Sequence, residues 1–434
     1  TAVATEAVSM LSSCRRLGAY GAKVVVVAGK GNNGNDGRVA ARLLADRGAR
    51  VRLLATSESQ PDIAGADLVV DAAFGTGFRG EYAAPATSAP VLAVDVPSGL
   101  DADLGVAGPQ AVRADRTVTF GALKAGLLLN DGPLHSGGVV VAGLGLAVGE
   151  AAPRTWLVES ADVAGHLPMR GLHDHKWLSA VMVVAGSPGM YGAPQYVADG
   201  AGRAGSGMVR LGVPGAPLAA LPSRNAVGVS LEKSAWDAEA LEAALRCRAL
   251  VVGPGLGLAA ATRQSVTRLV AASQVPTVVD ADGLTALGDA ATAAEVIGRR
   301  SGAPVVLTPH EGEFQKLAGA KVGPDRIGAT RALAAQVGCV VLLKGATTVV
   351  ADQSGRALLV TSGSAQLATA GSGDVLSGVI GALLARGLPA LEAAAYGAHV
   401  HGLAGELGHS QGLLAGDLPE LVATVLSQLA TGRG

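Results

Sequence analysis

The run Thr369-Ala370-Gly371-Ser372-Gly373-Asp374 stands directly before an apolar helical stretch, residues 375–386. Its glycines let the backbone turn tightly and present N–H groups. A helix that starts here offers unpaired donors and a partial positive charge, which suits a phosphate. Asp374 at that anion hole could take a proton from a hydroxyl attacking a phosphoryl group. It could equally be an ordinary N-terminal helix cap.

Other strand-like runs end in groups of related chemistry. Lys344-Gly345-Ala346-Thr347-Thr348 follows an apolar run and suits a nucleotide phosphate or ribose, or is a plain exposed turn. Thr308-Pro309-His310-Glu311-Gly312-Glu313 sets a histidine and two acids at a strand end, or opens a helix. Gly253-Pro254-Gly255-Leu256-Gly257 allows close backbone approach to a ligand. Asp280-Ala281-Asp282-Gly283 carries two carboxylates that could hold magnesium through water, or cap a helix. Ala185-Gly186-Ser187 to Gly192-Ala193 is a further Gly-rich exit. Ligands of parallel α/β sheets bind beyond the strand C-termini, so six such exits on one sheet point to a site.

The first third of the chain has its own set. Gly29-Lys30-Gly31-Asn32-Asn33-Gly34 follows a valine run and fits a Gly-x-Gly-x-x-Gly fingerprint, a weak signal alone. The second strand ends at Ala55-Thr56-Ser57 without the acid that a dinucleotide-binding hydride-transfer fold needs. Asn32, Asn33 and Asp36 instead offer polar groups to a ligand or cation, or serve a turn. Asp71, ahead of Gly75-Thr76-Gly77, and Asp95 with Ser98 lie at two further exits. Carboxylates buried there are costly unless paired or bound to a cation.

The elements that position these groups follow from composition and pattern. The 434 residues are 49% hydrophobic, only 3% aromatic, and include 62 glycines. That balance suits α/β folds packed through small residues, and the length suits more than one domain. Strands are expected at residues 23–28, 51–55, 68–73, 91–96, 116–120 and 139–144, with a helix at 38–47. A polar linker near 147–154 separates them from a second sheet at 181–185, 208–213, 249–252, 277–280, 305–308 and 339–344. A hairpin around Gly355 joins 347–352 and 357–361. Two α/β domains, 1–150 and 151–434, are expected. Net charge is -1 with no long basic stripe, so no nucleic-acid partner is expected. No apolar run reaches the roughly 18 residues of a membrane span. Cys14, Cys247 and Cys339 are scattered, which fits a reducing, cytoplasmic setting. The chain opens at Thr1 inside a helical pattern, and further sequence ahead of it is expected.

The second half resembles the NAD(P)H-hydrate dehydratase family of the ribokinase-like superfamily. The matching elements are His175-Lys176, Val184-Ala185-Gly186-Ser187, Arg203-Ala204-Gly205-Ser206-Gly207, Gly253 to Gly257, Asp280 to Gly283, Thr308-Pro309-His310, Lys344-Gly345 and Gly371 to Asp374. The resemblance implies a ribokinase-like αβα domain that repairs hydrated NADH or NADPH (NADHX or NADPHX). ADP or ATP is the implied co-substrate, with magnesium. It assigns the hydrate to Ala193, Gly257, His310 and Asp374, and the adenine nucleotide to Lys344, Gly345, Ala346, Thr347, Thr348 and Gly373. A ribokinase-like kinase of a vitamin alcohol, with a non-catalytic first domain, is the alternative.

The first half resembles the NAD(P)H-hydrate epimerase domain over roughly residues 23–146, through Gly31-Asn32-Asn33-Gly34-Asn35-Asp36-Gly37, residues 71–80 and Asp95-Val96-Pro97-Ser98-Gly99. This implies a Rossmann-like three-layer αβα domain. The family has Gly where Asn35 stands, and Asn can adopt left-handed angles there. The resemblance gives potassium to Asn33, Asp71 and Ser98. It gives the substrate to Asn32, Asn33, Gly34, Asn35, Asp36, Gly75, Thr76, Gly77, Phe78, Arg79, Gly80, Glu81 and Asp95. Asp95 is the residue expected to move the proton. A homo-oligomer is expected.

Overall fold

Valine-rich runs with no polar face become the buried central strands of two sheets. The computed structural model describes residues 1–14, 18–58, 62–145, 154–223 and 225–432. The chain divides into two units, Thr1–Ala152 and Pro153–Gly434. The linker expected at 147–154 lies outside the described residues except for Arg154, and so does position 146, where the first resemblance ends.

The first unit has six strands: β1 Lys23–Ala28, β2 Arg50–Ala55, β3 Leu68–Ala72, β4 Val91–Val94, β5 Arg116–Phe120 and β6 Gly138–Ala142. They lie in the order β2-β1-β3-β4-β5-β6, and every pairing is parallel. One face is covered by the helices Ala2–Cys14 and Asn32–Asp46, through Val3, Ala7, Leu11, Ala40 and Leu44. The other meets Ile63, Val112, Ala114, Phe74 and Tyr82, all from irregular chain.

The helix expected at 38–47 starts six residues earlier, so most of the anticipated glycine loop is its first turns. Asn and Gly are poor helix formers, and close packing overrides that preference. A Cβ on Gly29 would stand 2.0 Å from the Ala73 carbonyl oxygen, and one on Gly37 2.4 Å from the Ala72 Cβ. Asn35 is not among the residues of positive φ, so it sits in this turn without left-handed angles. The crowded position of the turn is Gly34, where a Cβ would stand 1.9 Å from the Gly29 oxygen.

The second unit has ten: β7 Thr155–Leu157, β8 Ala180–Val184, β9 Met208–Gly212, β10 Ala226–Val229, β11 Ala249–Val252, β12 Thr277–Val279, β13 Val305–Leu307, β14 Val340–Leu343, β15 Thr348–Ala351 and β16 Ala357–Val360. Their order is β10-β9-β8-β11-β12-β13-β14-β15-β16-β7. Only the pairs β14–β15 and β15–β16 are antiparallel, as a hairpin requires. The two unanticipated strands, β7 and β10, form the two edges. Both are short and only partly buried, so neither carries a strong apolar run.

The helix Ser372–Ala385 is buried from Val375 to its end. It crosses the helix Gly192–Arg203 at a distance only glycine permits. A Cβ on Gly378 would lie 2.1 Å from the Val197 oxygen, and one on Gly200 2.5 Å from the Val375 oxygen. Gly381 meets β11 in the same way, with a Cβ 2.4 Å from Val251 Cγ2. The first turn of this helix is thereby fixed above the strand ends. Among the described residues no helix is long and apolar enough to cross a membrane. Cys247 and Cys339 are buried free thiols.

Candidate functional site

In the second unit the strand exits converge on the first turn of Ser372–Ala385. Gly371 takes φ +94°, and the Tyr196 ring lies where a Cβ would go, 2.6 Å away. That glycine sets the direction from which the helix N-terminus faces the site. Asp374 sits three residues on. Among the described residues no donor hydrogen-bonds its carboxyl, so it does not cap its own helix. Burial pushes that carboxyl up to about 7, aided by the charges of Asp280, Asp282 and Glu313 and opposed by Lys344. A carboxyl that titrates near neutrality and is free of partners is suited to proton transfer.

Lys344 is neither an exposed lysine nor free. Its Nζ donates to Asp280 Oδ1 at 2.8 Å, and Ser377 Oγ donates to Asp280 Oδ2 at 2.6 Å. Asp280 is almost wholly buried, and both its oxygens are used. A Cβ on Gly373 would stand 3.3 Å from Lys344 Nζ, so the ammonium lies against the helix N-terminus. Two sources of positive potential thus face one point, which suits a transferring phosphoryl group. Arg326 packs where a Gly345 side chain would be and donates to the Lys344 carbonyl at 3.2 Å. Thr347 is buried and Thr348 begins β15.

Asp282 Oδ2 accepts from the Gly257 N–H at 2.8 Å, which shapes the glycine loop after β11. A side chain on Gly257 would meet open space, whereas one on Gly255 would meet Ala193 at 3.1 Å. His310 is the N-cap of the helix Glu311–Ala318. Its Nδ1 accepts from the Gly312 and Glu313 N–H groups, and Glu313 accepts from the His310 N–H at 3.0 Å. This places the proton of a neutral ring on Nε2, 3.5 Å from Glu313 Oε1. Ala193, Gly257, His310, Lys344, Gly373 and Asp374 therefore belong to one neighbourhood. Ser377 was not anticipated. Its signal was its place three residues after Asp374, on the same helix face.

The first unit holds a second site. A cavity of about 520 Å³ is lined by Asn32, Asn33, Asp36, Phe74, Gly75, Thr76, Gly77, Phe78 and Asp95. Gly34 is buried behind it. Asn35, Gly80 and Glu81 are exposed and do not line it, and Arg79 donates to the Phe78 carbonyl at 2.7 Å. Asp71 is held by Ser98, whose Oγ donates to Oδ1 at 2.7 Å and whose N–H donates to Oδ2 at 2.8 Å. Burial pushes the Asp71 carboxyl up to about 6. Asn33 Nδ2 donates to the Phe74 carbonyl at 2.6 Å, while Asn33 Oδ1 is buried with no partner. An orphaned carbonyl oxygen beside a buried carboxylate and a hydroxyl suits a hard monovalent cation.

Asp95 directly follows β4 with φ +67°, an angle rare for a residue with a Cβ. Its N–H donates to the Val118 carbonyl at 2.7 Å. Lys124 Nζ lies 2.8 Å from its Oδ1, with Thr119 Oγ1 at 3.3 Å. A Cβ on Gly75 would stand 3.3 Å from Asp95 Oδ2 and 3.4 Å from the Asn33 Cβ, so Oδ2 faces the loop that lines the cavity. Neither Lys124 nor Thr119 was anticipated. Lys124 lies four residues past β5, at a strand exit like the others.

Residues 181–427 match the family described as NAD(P)H-hydrate dehydratase, and residues 2–65 and 55–126 match the YjeF-related protein N-terminus. A bifunctional NAD(P)H-hydrate repair enzyme of Salinibacter ruber is 37% identical over 93% of this chain and 87% of its own length. The chain belongs to the bifunctional NAD(P)H-hydrate repair enzyme family. A repair enzyme of the same description from Mycobacterium leprae is 40% identical over 95% of this chain and 89% of its own. The second unit is also similar to a solved structure, the ADP/ATP-dependent NAD(P)H-hydrate dehydratase of Bacillus subtilis, co-crystallised with ATP and magnesium. That likeness has a TM-score of 0.52 and 27% identity, and covers 62% of this chain and 97% of the other. Both halves of this repair-enzyme family member are thus accounted for by the matches.

Proposed function

We propose that the first unit interconverts the R and S forms of NADHX and NADPHX, and that the second dehydrates the S form at the expense of ADP, giving AMP and phosphate. The observation that carries the second activity is Asp374: a half-buried, unbonded carboxyl near neutrality, beside Lys344 and the helix N-terminus. A ring hydroxyl is a poor leaving group, and phosphorylation makes it a good one. Asp374 takes the hydroxyl proton, while the N–H groups at Gly373 and the Lys344 ammonium hold the transferring phosphoryl group. Ala193, Gly257 and His310 border the hydrate, and the backbone from Lys344 to Thr348 holds the adenine nucleotide. Magnesium arrives with the nucleotide phosphates. Asp280 does not fit as a direct ligand, because Lys344 and Ser377 already occupy its oxygens.

In the first unit, inverting the hydroxyl-bearing carbon requires one of its bonds to break and re-form while a proton leaves and returns. Asp95 Oδ2 takes and returns that proton. Asn33, Asp71 and Ser98 fit potassium, which would supply positive charge beside the substrate loop. Fusing the two activities is sensible because only one epimer is dehydrated. Two buried free thiols suit a reducing compartment such as the cytoplasm.

The test is to incubate the protein with NADHX and either ADP or ATP and follow the near-ultraviolet absorbance of the reduced nicotinamide ring. Recovery of NADH supports the proposal. No recovery, together with phosphorylation of a pyrimidine alcohol, would sink it.

A further inference from the structure

The two oxygens of Asp95 are in different circumstances. Oδ1 is surrounded by donors: Lys124 Nζ at 2.8 Å, Thr119 Oγ1 at 3.3 Å and the Phe120 N–H at 3.4 Å. Oδ2 is left towards Gly75 and the cavity. Lys124 is itself fixed, since its Nζ also donates to the Phe120 carbonyl at 2.7 Å and its side chain is only 19% exposed. The Asp95 backbone stands at φ +67°, a strained conformation that lasts only where the surroundings hold it. Asp36 is a second acid whose charge acts on Asp95 across the cavity, and Lys124 is the cation in direct contact with Asp95.

We infer that Lys124 is a positioning residue for the first unit's reaction: it occupies Oδ1 of Asp95 so that Oδ2 alone meets the substrate. The inference rests on the epimerase reading of this cavity. Lys124 is absent from the cavity lining, so it acts through Asp95 rather than on the substrate. A carboxylate free to rotate could present either oxygen, and misplacing a reacting atom by about 1 Å costs on the order of a hundredfold in rate. Thr119 supports the same oxygen from the neighbouring strand β5, as a weaker partner.

The experiment compares the wild-type protein with Lys124→Met, Lys124→Arg and Thr119→Val in R/S interconversion of NADHX. Each variant is also assayed for ADP-dependent dehydration of the pure S form, which the second unit performs. The expected result is a fall in kcat of about a hundredfold for Lys124→Met with KM changed less than about twofold. Lys124→Arg should recover most of the rate, and Thr119→Val should lose about threefold to tenfold. Dehydration of the S form should stay as in the wild type. Wild-type kcat in Lys124→Met overturns the inference alone. Equal losses in the Met and Arg variants with an unfolded first unit, together with wild-type kcat in Thr119→Val, also overturn it. A wild-type protein that dehydrates the S form without interconverting the epimers overturns the epimerase reading, and the inference with it.

Discussion

Lys344 and Asp280 form an ion pair of 2.8 Å whose carboxylate is almost fully buried, and Ser377 closes the second oxygen of that carboxylate. The pair sets Lys344 against Gly373 and also places a negative charge near Asp374. Removing one partner of such a pair strands the other. Asp280→Ala is expected to cost about 3 kcal/mol of stability in the second unit, read from its urea midpoint. Ser377→Ala should cost about 1 kcal/mol and leave the ion pair in place. A stable Asp280→Ala protein with wild-type ADP affinity would contradict this role.

The Asp374 carboxyl is raised to about 7, so it is protonated below that pH and cannot act as a base there. The kcat/KM for dehydration should therefore fall as pH drops through about 7. The same shift means the folded state holds a proton that the unfolded state releases from about pH 4 upward. Asp374 thus favours the folded state less as pH rises from about 4 to 7. Asp374→Asn should remove this pH dependence of stability and lower kcat by roughly 10²–10⁴-fold. A pH profile flat between 5 and 8 (a window of about 3 units) would count against Asp374 as the base.

Much of the fold was legible because it is local. Strands β1, β5 and β11 begin and end at the expected residues: β1 and β11 are apolar runs bounded by polar or small residues, and β5 is a short run rich in β-branched residues with a buried centre. Gly371 to Asp374 was legible for the same reason, as a tight turn ahead of an apolar helix. The contacts that decide the chemistry were not. Ser377 and Asp280 are 97 residues apart in sequence, and nothing near either names the other. The first turns of the helix Asn32–Asp46 were hidden because their stability comes from β3, against which Gly29 and Gly37 pack. Asp95 was visible as a carboxylate at a strand exit, but its left-handed backbone and its lysine were not.

Two glycines at the start of the helix Asn32–Asp46 should behave oppositely. Gly34→Ala would drive a Cβ to 1.9 Å from the Gly29 oxygen, whereas Gly31→Ala meets nothing within 4 Å. The first is expected to destabilise the first unit by more than about 2 kcal/mol. The second should stay within about 0.5 kcal/mol. Thermal unfolding of the two variants separates them, and equal midpoints would refute this packing.

Asn33 Oδ1 is buried without a partner, so a cation that satisfies it should stabilise the first unit. Replacing potassium with tetramethylammonium should lower the thermal midpoint of that unit and slow epimerisation. Asn33→Leu should abolish the difference between the two salts. If the wild type is equally stable in both salts, potassium is not held here.

Asp95→Ala should leave dehydration of the pure S form intact. Given both epimers and excess ADP, the wild type should consume the whole mixture, and the variant should stall once the S form is spent. Complete consumption by the variant at the wild-type rate would mean that the first unit does not epimerise.

The glycine contacts along Ser372–Ala385 also bear on redesign of the enzyme. Gly378 and Gly381 leave no room for even a methyl group, so that helix is an axle with no tolerance for wear. Gly257, in contrast, has open space beside it at the rim, although its φ of +76° keeps that one position for glycine and leaves its neighbours to vary. A library meant to retune which damaged cofactor is accepted should diversify the rim and leave the axle untouched. Its productive members will then inherit the reactive geometry unchanged.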